Sequence, residues 1–275
     1  MLIKLFPLFF AWWATGFEAP APPPRAVKTA PAPASATSAP APIWLSPSRL
    51  AQPGEKPPAP TAGAIRIAPS SADDIVKGVQ DFYRNTQHLT AKFRQNVVNK
   101  TFGLPSMNDG KVYLKKPGKM RWDYFSKRDK TQVTRSQMSD GKTIWAVDKN
   151  GKWYYRQDLA KSALPVAVTF LTGKGDLAKE FNAKLLTGSK YGTASDKVLE
   201  LTPKKQSQFK TLVLVVDPSN FRVKKSIVTS MTGDTNEFSF FEPDTSKAVA
   251  DTWFVFNPKA AKGFREIKAE EAPQK

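Results

Sequence analysis

Residues 115–124 read KKPGKMRWDY, a basic turn followed by large side chains at every second position. Such alternation is typical of a β-strand that has one apolar and one polar face. The apolar face would carry Met120, Trp122 and Tyr124, and the polar face Arg121 and Asp123. The Pro-Gly corner before the strand predicts a turn from a preceding strand. This stretch therefore predicts a sheet, and it raises the question of what the apolar face contacts.

The period of two extends on both sides of this stretch. From Leu89 onward, short alternating segments are separated by turns rich in Gly, Asn and Asp. After a break at 158–180 the pattern resumes with FNAKLLTGS, KVLELTP, FKTLVLVVD, FRVKKSIVT, NEFSFFE and DTWFVFNP. Short strands at even spacing are typical of an antiparallel sheet that curls towards a barrel. The sequence predicts about eleven strands.

A few short helices complete the predicted architecture, which is mainly β. Ser71 and Asp74 have the spacing of a capping box, and an apolar stripe of helical period follows them. Pro165 and Gly173 predict one or two short helices in the break. The segments 212–216 and 253–256 are apolar on both faces, which predicts cover on both surfaces of the sheet.

The chain divides into four regions by composition. Residues 1–16 resemble an export signal peptide, with one lysine, an apolar run and a small-x-small cleavage site. Fourteen of the 23 prolines lie between residues 18 and 70, so we interpret 17–70 as a Pro/Ala-rich disordered linker. Residues 71–268 form the predicted folded domain, and 269–275 a disordered tail.

Charge and cysteine content limit the function classes. Residues 71–268 hold 35 Lys and Arg against 20 Asp and Glu, so the domain would attract nucleic acid, anionic lipid headgroups or an acidic partner, unless the charge only maintains solubility. The chain has no cysteine, which excludes disulfides, thiolate nucleophiles, Cys-ligated metals and an acylated cysteine. A nucleic-acid-binding or anionic-surface-binding β-domain stays open, although the predicted apolar face carries no cation.

An enzyme is not expected. A lipid hydrolase would need a nucleophile and a base, yet the sequence has neither G-x-S-x-G nor H-E-x-x-H. The only histidine, His88, is expected to face solvent at the end of the first helix. We therefore expect no catalytic residues, no cofactor and no metal site.

A set of short motifs runs in a fixed order through this domain. They are Phe93-x-Gln95, Gly110-x-Val-x-Leu114, a basic residue before Pro117, Arg121-Trp122-x-Tyr124, Ser139-Asp140-Gly141, Trp145, Leu171-x-Gly173, Leu201-x-Pro203, the turn at Asp217 and Phe254-x-Phe256-x-Pro258. By these motifs residues 73–268 resemble the periplasmic outer-membrane lipoprotein carrier protein (LolA) family. The resemblance implies a strongly curved, incomplete antiparallel barrel capped by a helical lid.

The resemblance also implies a function and a site. The family carries acylated lipoproteins through the periplasm, from an inner-membrane lipoprotein-releasing transporter to an outer-membrane acceptor, in an apolar cavity. The lipid-binding positions implied in this chain are Phe93, Leu114, Met120, Trp122, Tyr124 and Trp145. Lys116 stands where the family usually has the arginine that holds the lid shut, and Lys115 or Arg121 is the alternative latch. A monomer that binds no nucleic acid is implied, and another lipid-binding member of the same superfamily is the nearest alternative.

Overall fold

The computed structural model describes residues 71–101, 103, 105–159, 170–172, 175–188, 190–207 and 209–268. The predicted signal peptide, linker and tail lie outside these residues, as do Pro165 and Gly173. In the described part of the break at 158–180, the structure has a 3₁₀ turn (Phe170–Thr172) and a short helix, α2 (Leu177–Glu180). These two elements confirm the prediction of one or two short helices in this region.

A curved open sheet of 12 strands forms the body of the domain. The strands are β1 (His88–Val98), β2 (Pro105–Lys115), β3 (Lys119–Phe125), β4 (Val133–Ser139), β5 (Thr143–Asp148), β6 (Trp153–Asp158), β7 (Phe181–Leu186), β8 (Lys197–Pro203), β9 (Phe209–Val216), β10 (Val223–Ser230), β11 (Thr235–Asp244) and β12 (Arg265–Glu266). Their order across the sheet is β12-β6-β5-β4-β3-β2-β1-β11-β10-β9-β8-β7. All pairs are antiparallel except β12 with β6. The predicted fold class is confirmed.

Two series of consecutive hairpins, β1–β6 and β7–β11, make up almost the whole sheet. They meet where β1 pairs with β11, for example at Phe93 and Phe240. On its other side β1 pairs with β2, where Phe93 lies opposite Gly110. The strand β1 is therefore the centre of the sheet, and its apolar side chains contact both halves.

The first helix, α1 (Ala72–Asn85), lies on the concave side of the sheet. Its capping box is formed, because the Asp74 amide donates to Ser71 Oγ at 3.1 Å and the Ser71 amide donates to Asp74 Oδ2 at 3.2 Å. Ile75, Val79 and Tyr83 are buried in the main core beneath it. We call α1 together with Phe170–Thr172 the lid, because both contact each other above the concave face.

Both faces of the sheet are apolar where they are covered. In β9, Leu212 and Leu214 join the main core, whereas Val213 and Val215 join a separate cluster on the other face. A further cluster on that convex face is formed by Met138, Trp145, Val147 and Tyr154, with Phe256 and Phe264 packed against it. The prediction that both surfaces are partly covered is confirmed for 212–216.

The C-terminal part of the domain differs from its prediction. The segment 251–258 was expected to be a strand, but it begins with a 3₁₀ helix (Asp251–Phe254), and β12 follows as a strand that the sequence pattern did not indicate. We call residues 249–267 the strap, because they lie across the convex face of β2 to β6. Its aromatic side chains contact that face, so their alternation does not indicate a strand.

The expected position of His88 was also wrong. The helix ends at Asn85, and His88 is the first residue of β1, opposite Lys115. Its Nδ1 is buried without a hydrogen-bond partner in the described part of the chain. The turn after α1 therefore carries this side chain into the sheet and away from the exposed helix face.

Candidate functional site

The apolar face of β3 lies in the main core, as the alternation predicts. Trp122 is 1% exposed, and Met120 and Tyr124 are also buried. Across β2, Trp122 is paired with Val112, and Tyr124 with Gly110. This face of β3 therefore points to the concave side, beneath the lid.

Gly110 allows an aromatic cluster to form on this surface. A Cβ at Gly110 would lie 2.4 Å from the ring of Phe93 and 2.2 Å from the carbonyl oxygen of Asp123. In this space the Phe93 ring lies 5.2 Å, between ring centroids, from both Trp122 and Tyr124. Phe238 adds a ring 5.2 Å from Trp122. These rings pack against one another at distances typical of favourable aromatic pairs.

An apolar pocket lies next to the aromatic cluster, between the lid and the sheet. It contains about 320 Å³ of empty space, part of which is open to solvent. Side chains from the sheet line it: Leu89, Ala91, Val112, Leu114, Trp122 and Phe240. The lid contributes Tyr83 and Leu171. The β9–β10 turn contributes Arg222, and the first residue of β10 contributes Val223.

Only part of the predicted lipid-binding set borders this pocket. Leu114 and Trp122 line it, whereas Phe93, Met120 and Tyr124 belong to the same core without bordering the empty space that the structure describes. All of these side chains share one face of the sheet. The structure thus brings the five side chains together on one face, where two of them line the pocket and three are packed in the core beside it.

Trp145 does not belong with this group. It lies opposite Met138 in the β4–β5 pair and packs in the convex cluster with Val147 and Tyr154. In β5 it is Ile144 that reaches the main core. The expectation that Trp145 lines the same cavity was therefore wrong, because the neighbouring residue occupies the concave face.

A second space of about 220 Å³ adjoins the pocket at the β2–β3 corner. It shares Tyr83, Leu89, Leu114 and Leu171 with the pocket. Lys115 and Lys116 also line it. The corner that opens the quoted stretch thus forms one rim of the apolar space.

Lys116 connects this corner to the lid. Its Nζ donates a hydrogen bond to the carbonyl oxygen of Arg84, in the last turn of α1, and its backbone amide donates to the carbonyl of Gln87 at 3.0 Å. Carbonyls in the last turn of a helix have no partner within the helix, so a lysine satisfies one of them well. Burial, and secondarily the charge of Arg84, lower the pKa of Lys116. The bond to the lid that the resemblance implied is present, and its role in opening stays a prediction.

Arg121 lies on the other face and does not contact the lid. Its Nε donates to both carboxylate oxygens of Asp123, at 2.8 and 2.9 Å, and its Nη1 donates to the carbonyl of Trp253 at 2.9 Å. Its guanidinium also lies over the Trp253 ring, 5.0 Å from the centroid. The expectation that Arg121 could act as the latch was wrong, because strand alternation places it on the convex face, where it binds the strap.

Lys115 binds the strap as well. Its Nζ donates to the carbonyl of Val249 at 2.8 Å and pairs with the carboxylate of Asp251 at 2.6 Å. Lys119 pairs with the second oxygen of Asp251 at 2.8 Å. Adjacent lysines at 115 and 116 therefore contact two different covers of the sheet.

Sequence reasoning missed most of the pocket lining, including Tyr83, Phe240 and Arg222. Tyr83 and Phe240 were assigned to the correct helix and strand, but nothing in the pattern marked them as pocket residues. Arg222 lies in the β9–β10 turn and carried no signal at all. The Tyr83 hydroxyl accepts a hydrogen bond from the Val223 amide at 3.3 Å, and burial raises its pKa well above the usual range.

No helix in the described part of the chain has the length and apolar character to cross a membrane. No group of His, Cys, Asp and Glu side chains there could hold a metal ion.

Comparisons with known proteins agree with one another. The sequence model of the family described as "Outer membrane lipoprotein carrier protein LolA" matches residues 84–257. An outer-membrane lipoprotein carrier protein of Chromobacterium violaceum is 28% identical over 206 residues, which cover 73% of this chain and 93% of that protein. One of Dechloromonas aromatica is 26% identical over 186 residues, which cover 67% and 84% of the two chains. A crystal structure of a LolA superfamily protein from Nitrosomonas europaea aligns with a TM-score of 0.39 and 12% identity, over 68% of this chain and 99% of that chain.

Proposed function

Because the chain belongs to the outer membrane lipoprotein carrier protein (LolA) family, we propose that it is a periplasmic carrier that shields the acyl chains of lipoproteins in the pocket beneath the lid. The proposed cargo is an acylated lipoprotein. The proposed donor is an inner-membrane lipoprotein-releasing transporter, and the proposed acceptor is a receptor at the outer membrane. The carrier acts as a monomer, and its activity is binding and transfer, without a covalent step.

The single observation that carries this proposal is the apolar pocket between the lid and the sheet. Its lining is almost entirely aliphatic and aromatic. Each methylene group removed from water contributes about 0.8 kcal/mol, so an acyl chain strongly favours such a lining over solvent. A carrier of lipoproteins needs this property before any other.

The size of the pocket supports a lid that opens. Its empty space of about 320 Å³ includes a part that is open to solvent, so the enclosed room is smaller than this figure. A lipoprotein with several acyl chains needs more room than this. Loading therefore requires the lid to move away from β1, β2 and β3, which breaks the bond from Lys116 to the Arg84 carbonyl.

The residues proposed to contact the acyl chains fall into two groups. Leu114 and Trp122 border the pocket as it stands. Phe93, Met120 and Tyr124 pack on the same face, and they would become accessible when the lid moves. The alternative of a nucleic-acid-binding surface is less well supported, because stacking on bases needs exposed aromatic rings, and the rings of this cluster are buried.

Binding to the full chain tests the proposal directly. The neutral dye N-phenyl-1-naphthylamine should fluoresce on binding, and a triacylated lipopeptide should displace it, whereas the same peptide without acyl chains should not. Leu114→Gln, which places an unpaired amide in the pocket, should weaken lipopeptide binding about tenfold or more. Lys92→Gln on the convex face is the matched control and should bind normally.

The outcomes separate clearly. Absence of dye and lipopeptide binding in a chain with intact circular dichroism would overturn the proposal. Equal displacement by the acylated and the deacylated peptide would also overturn it, because the pocket would then recognise something other than acyl chains.

A further inference from the structure

Arg222 is an unusual member of the pocket lining. Among the described residues that border the pocket, it is the only charged one. Within the described part of the chain its guanidinium makes neither a hydrogen bond nor an ion pair, and the side chain is half-buried. A shielded cation at the edge of an apolar space is an attractive position for an anion.

The β9–β10 turn holds Arg222 in place. The Asp217 amide donates to the Arg222 carbonyl at 3.0 Å, and the Phe221 amide donates to the Asp217 carbonyl at 2.8 Å. The Arg222 amide donates to Asn220 Oδ1 at 2.9 Å. The backbone of Arg222 is therefore held in place by the turn before any ligand binds.

The lid supports the same turn from above. The Phe221 ring lies against α1 at Gly78, where an added Cβ would be 2.1 Å from the ring. The residue after Arg222, Val223, donates its amide to the Tyr83 hydroxyl at 3.3 Å. This bond places the Tyr83 hydroxyl at the backbone of the residue that follows Arg222.

Tyr83 can supply a second donor. Burial keeps its pKa well above the usual range, so the hydroxyl remains protonated at neutral pH. The hydroxyl accepts from Val223, and within the described residues its own proton has no acceptor. Tyr83 and Arg222 both line the pocket, and a carboxylate or phosphate oxygen could accept from both.

The carboxylate of Asp217 does not bind the guanidinium of Arg222. Asp217 accepts from the Ser219 hydroxyl at 2.6 Å, the Ser219 amide at 3.0 Å and Asn220 Nδ2 at 3.2 Å. These bonds, chiefly from Ser219, and more weakly the charge of Arg222, hold the pKa of Asp217 below its usual value. Asp217 stabilises the turn and leaves the guanidinium available.

We infer that the pocket binds a single-chain amphiphile with an anionic headgroup, whose acyl chain lies between the lid and β1–β3 and whose carboxylate or phosphate is bound by Arg222 and Tyr83. The inference rests on the proposed binding of acyl chains, and it names the class of acyl ligand that fits the pocket in its closed form. The ester- and amide-linked acyl groups of a lipoprotein are neutral, so they leave Arg222 without a role. The enclosed part of the pocket is small, which favours one chain over several.

The test compares ligands that share a chain and differ in the headgroup. The full chain is titrated below the micelle concentration with hexadecanoate, hexadecyl phosphate and neutral hexadecanol, by displacement of N-phenyl-1-naphthylamine. Arg222→Gln should weaken hexadecanoate and hexadecyl phosphate by about tenfold to a hundredfold, the range for a lost charge-assisted hydrogen bond, and should leave hexadecanol unchanged. Lys210→Gln, an exposed lysine of β9, makes the same change in net charge and should alter nothing.

Two more variants identify the headgroup and the second donor. Arg222→Lys keeps the charge and should retain most of the affinity for the phosphate, but it should lose more for the carboxylate, which prefers the planar fork of arginine. Tyr83→Phe should weaken both anionic ligands less than Arg222→Gln does. A loss confined to hexadecanoate assigns the site to fatty acids, and a loss confined to hexadecyl phosphate assigns it to phosphorylated lipids.

Other results would overturn the inference. If Arg222→Gln weakens all three ligands equally, Arg222 acts on the acyl chain or on the fold and not on the headgroup. If it weakens none of them, Arg222 is a solvated cation at the rim. If the triacylated lipopeptide binds but hexadecanoate and hexadecyl phosphate do not, the inference fails while the proposed carrier function stands. If no acyl ligand binds to the folded chain, both fail together.

Discussion

The two faces of the sheet are covered by different kinds of contact. On the concave face the lid buries apolar side chains such as Ile75, Val79 and Tyr83, and the bond from Lys116 to Arg84 adds a single polar connection at its edge. On the convex face the first part of the strap is held by ion pairs and hydrogen bonds from Lys115, Lys119 and Arg121, together with the buried ring of Phe254.

This difference predicts how each cover can be removed. The carboxylate of Asp251 is 63% exposed, so water can replace its ion pairs with Lys115 and Lys119 at little cost. The lid leaves apolar surface behind, so it separates only when something apolar takes its place. A pocket whose cover needs a hydrophobic ligand to open is suited to acyl chains.

The largest expected effect sharpens the comparison with two tryptophans. Trp122→Ala should lower the free energy of unfolding by about 3–5 kcal/mol, because it leaves a cavity in the concave core. Trp253→Ala should cost about 1 kcal/mol, since Trp253 is 45% exposed and loses chiefly its contacts with Tyr113 and Arg121. Urea denaturation of both variants measures the difference. Equal costs would contradict the view that the two covers differ in kind.

The next prediction concerns the fit between the lid and the β9–β10 turn. Gly78→Ala should lower the free energy of unfolding by about 1–3 kcal/mol, because its Cβ would lie 2.1 Å from the Phe221 ring. In a Phe221→Ala background the same substitution should cost little or stabilise the helix, since alanine favours a helix over glycine by about 1 kcal/mol. A double-mutant cycle by thermal unfolding checks this. An identical cost in both backgrounds would mean that Phe221 is not the contact that matters.

A smaller effect is expected from the bond that closes the lid. Lys116→Leu should leave loading intact but slow the transfer of lipoprotein from the loaded carrier to acceptor membranes by about tenfold, because it removes a charge-assisted bond of the closed state only. Lys116→Arg should favour the closed state and speed release. Lys119→Leu, which removes a contact with the strap at the same corner, should leave transfer unchanged. Indistinguishable transfer rates for Leu, Lys and Arg at position 116 would make Lys116 an ordinary turn residue.

The smallest expected effect is the pH dependence of the strap. Hydrogen bonds from Lys115 and then Lys119 lower the pKa of Asp251 to about 2, from an ordinary value of 3.8. A carboxylate with a depressed pKa stabilises the bound strap fully above the ordinary value and loses this effect as the pH falls towards about 2. The indole NMR signal of Trp253 should therefore shift between pH 4 and pH 2, and Asp251→Asn should abolish that dependence. A midpoint near 3.8 would show that the two lysines do not bind Asp251 in solution.

Much of the concave face could be predicted from the sequence, because a strand has a period of exactly two residues. The alternation at 120–124 placed Met120, Trp122 and Tyr124 on one buried face, and the capping box placed the start of α1. These features depend on neighbours within a few residues. The local sequence pattern is therefore sufficient to predict the buried face of β3 and the start of α1.

The pocket lining and the strap could not be predicted in the same way. Met120 and Trp122 share a face, yet only Trp122 borders the empty space, because the position of the lid decides which side chains stay uncovered. The segment 251–258 of the strap was expected to be a strand, but the conformation of the strap depends on Lys115 and Tyr113, more than 100 residues earlier. Contacts over such separations leave no trace in the local pattern.

The pairing of β1 with β11 has a consequence for how the chain folds. Every other antiparallel pair joins strands that follow each other in sequence, and such hairpins close quickly. Across β1 and β11, however, Gln95 and Asn236 form a hydrogen bond at 3.1 Å over a separation of 141 residues. Closing so long a loop is slow, so we expect both hairpin series to form first and the joining of β1 to β11 to set the folding rate. Until that step each half exposes its apolar face, and a newly synthesised chain is then most prone to aggregate.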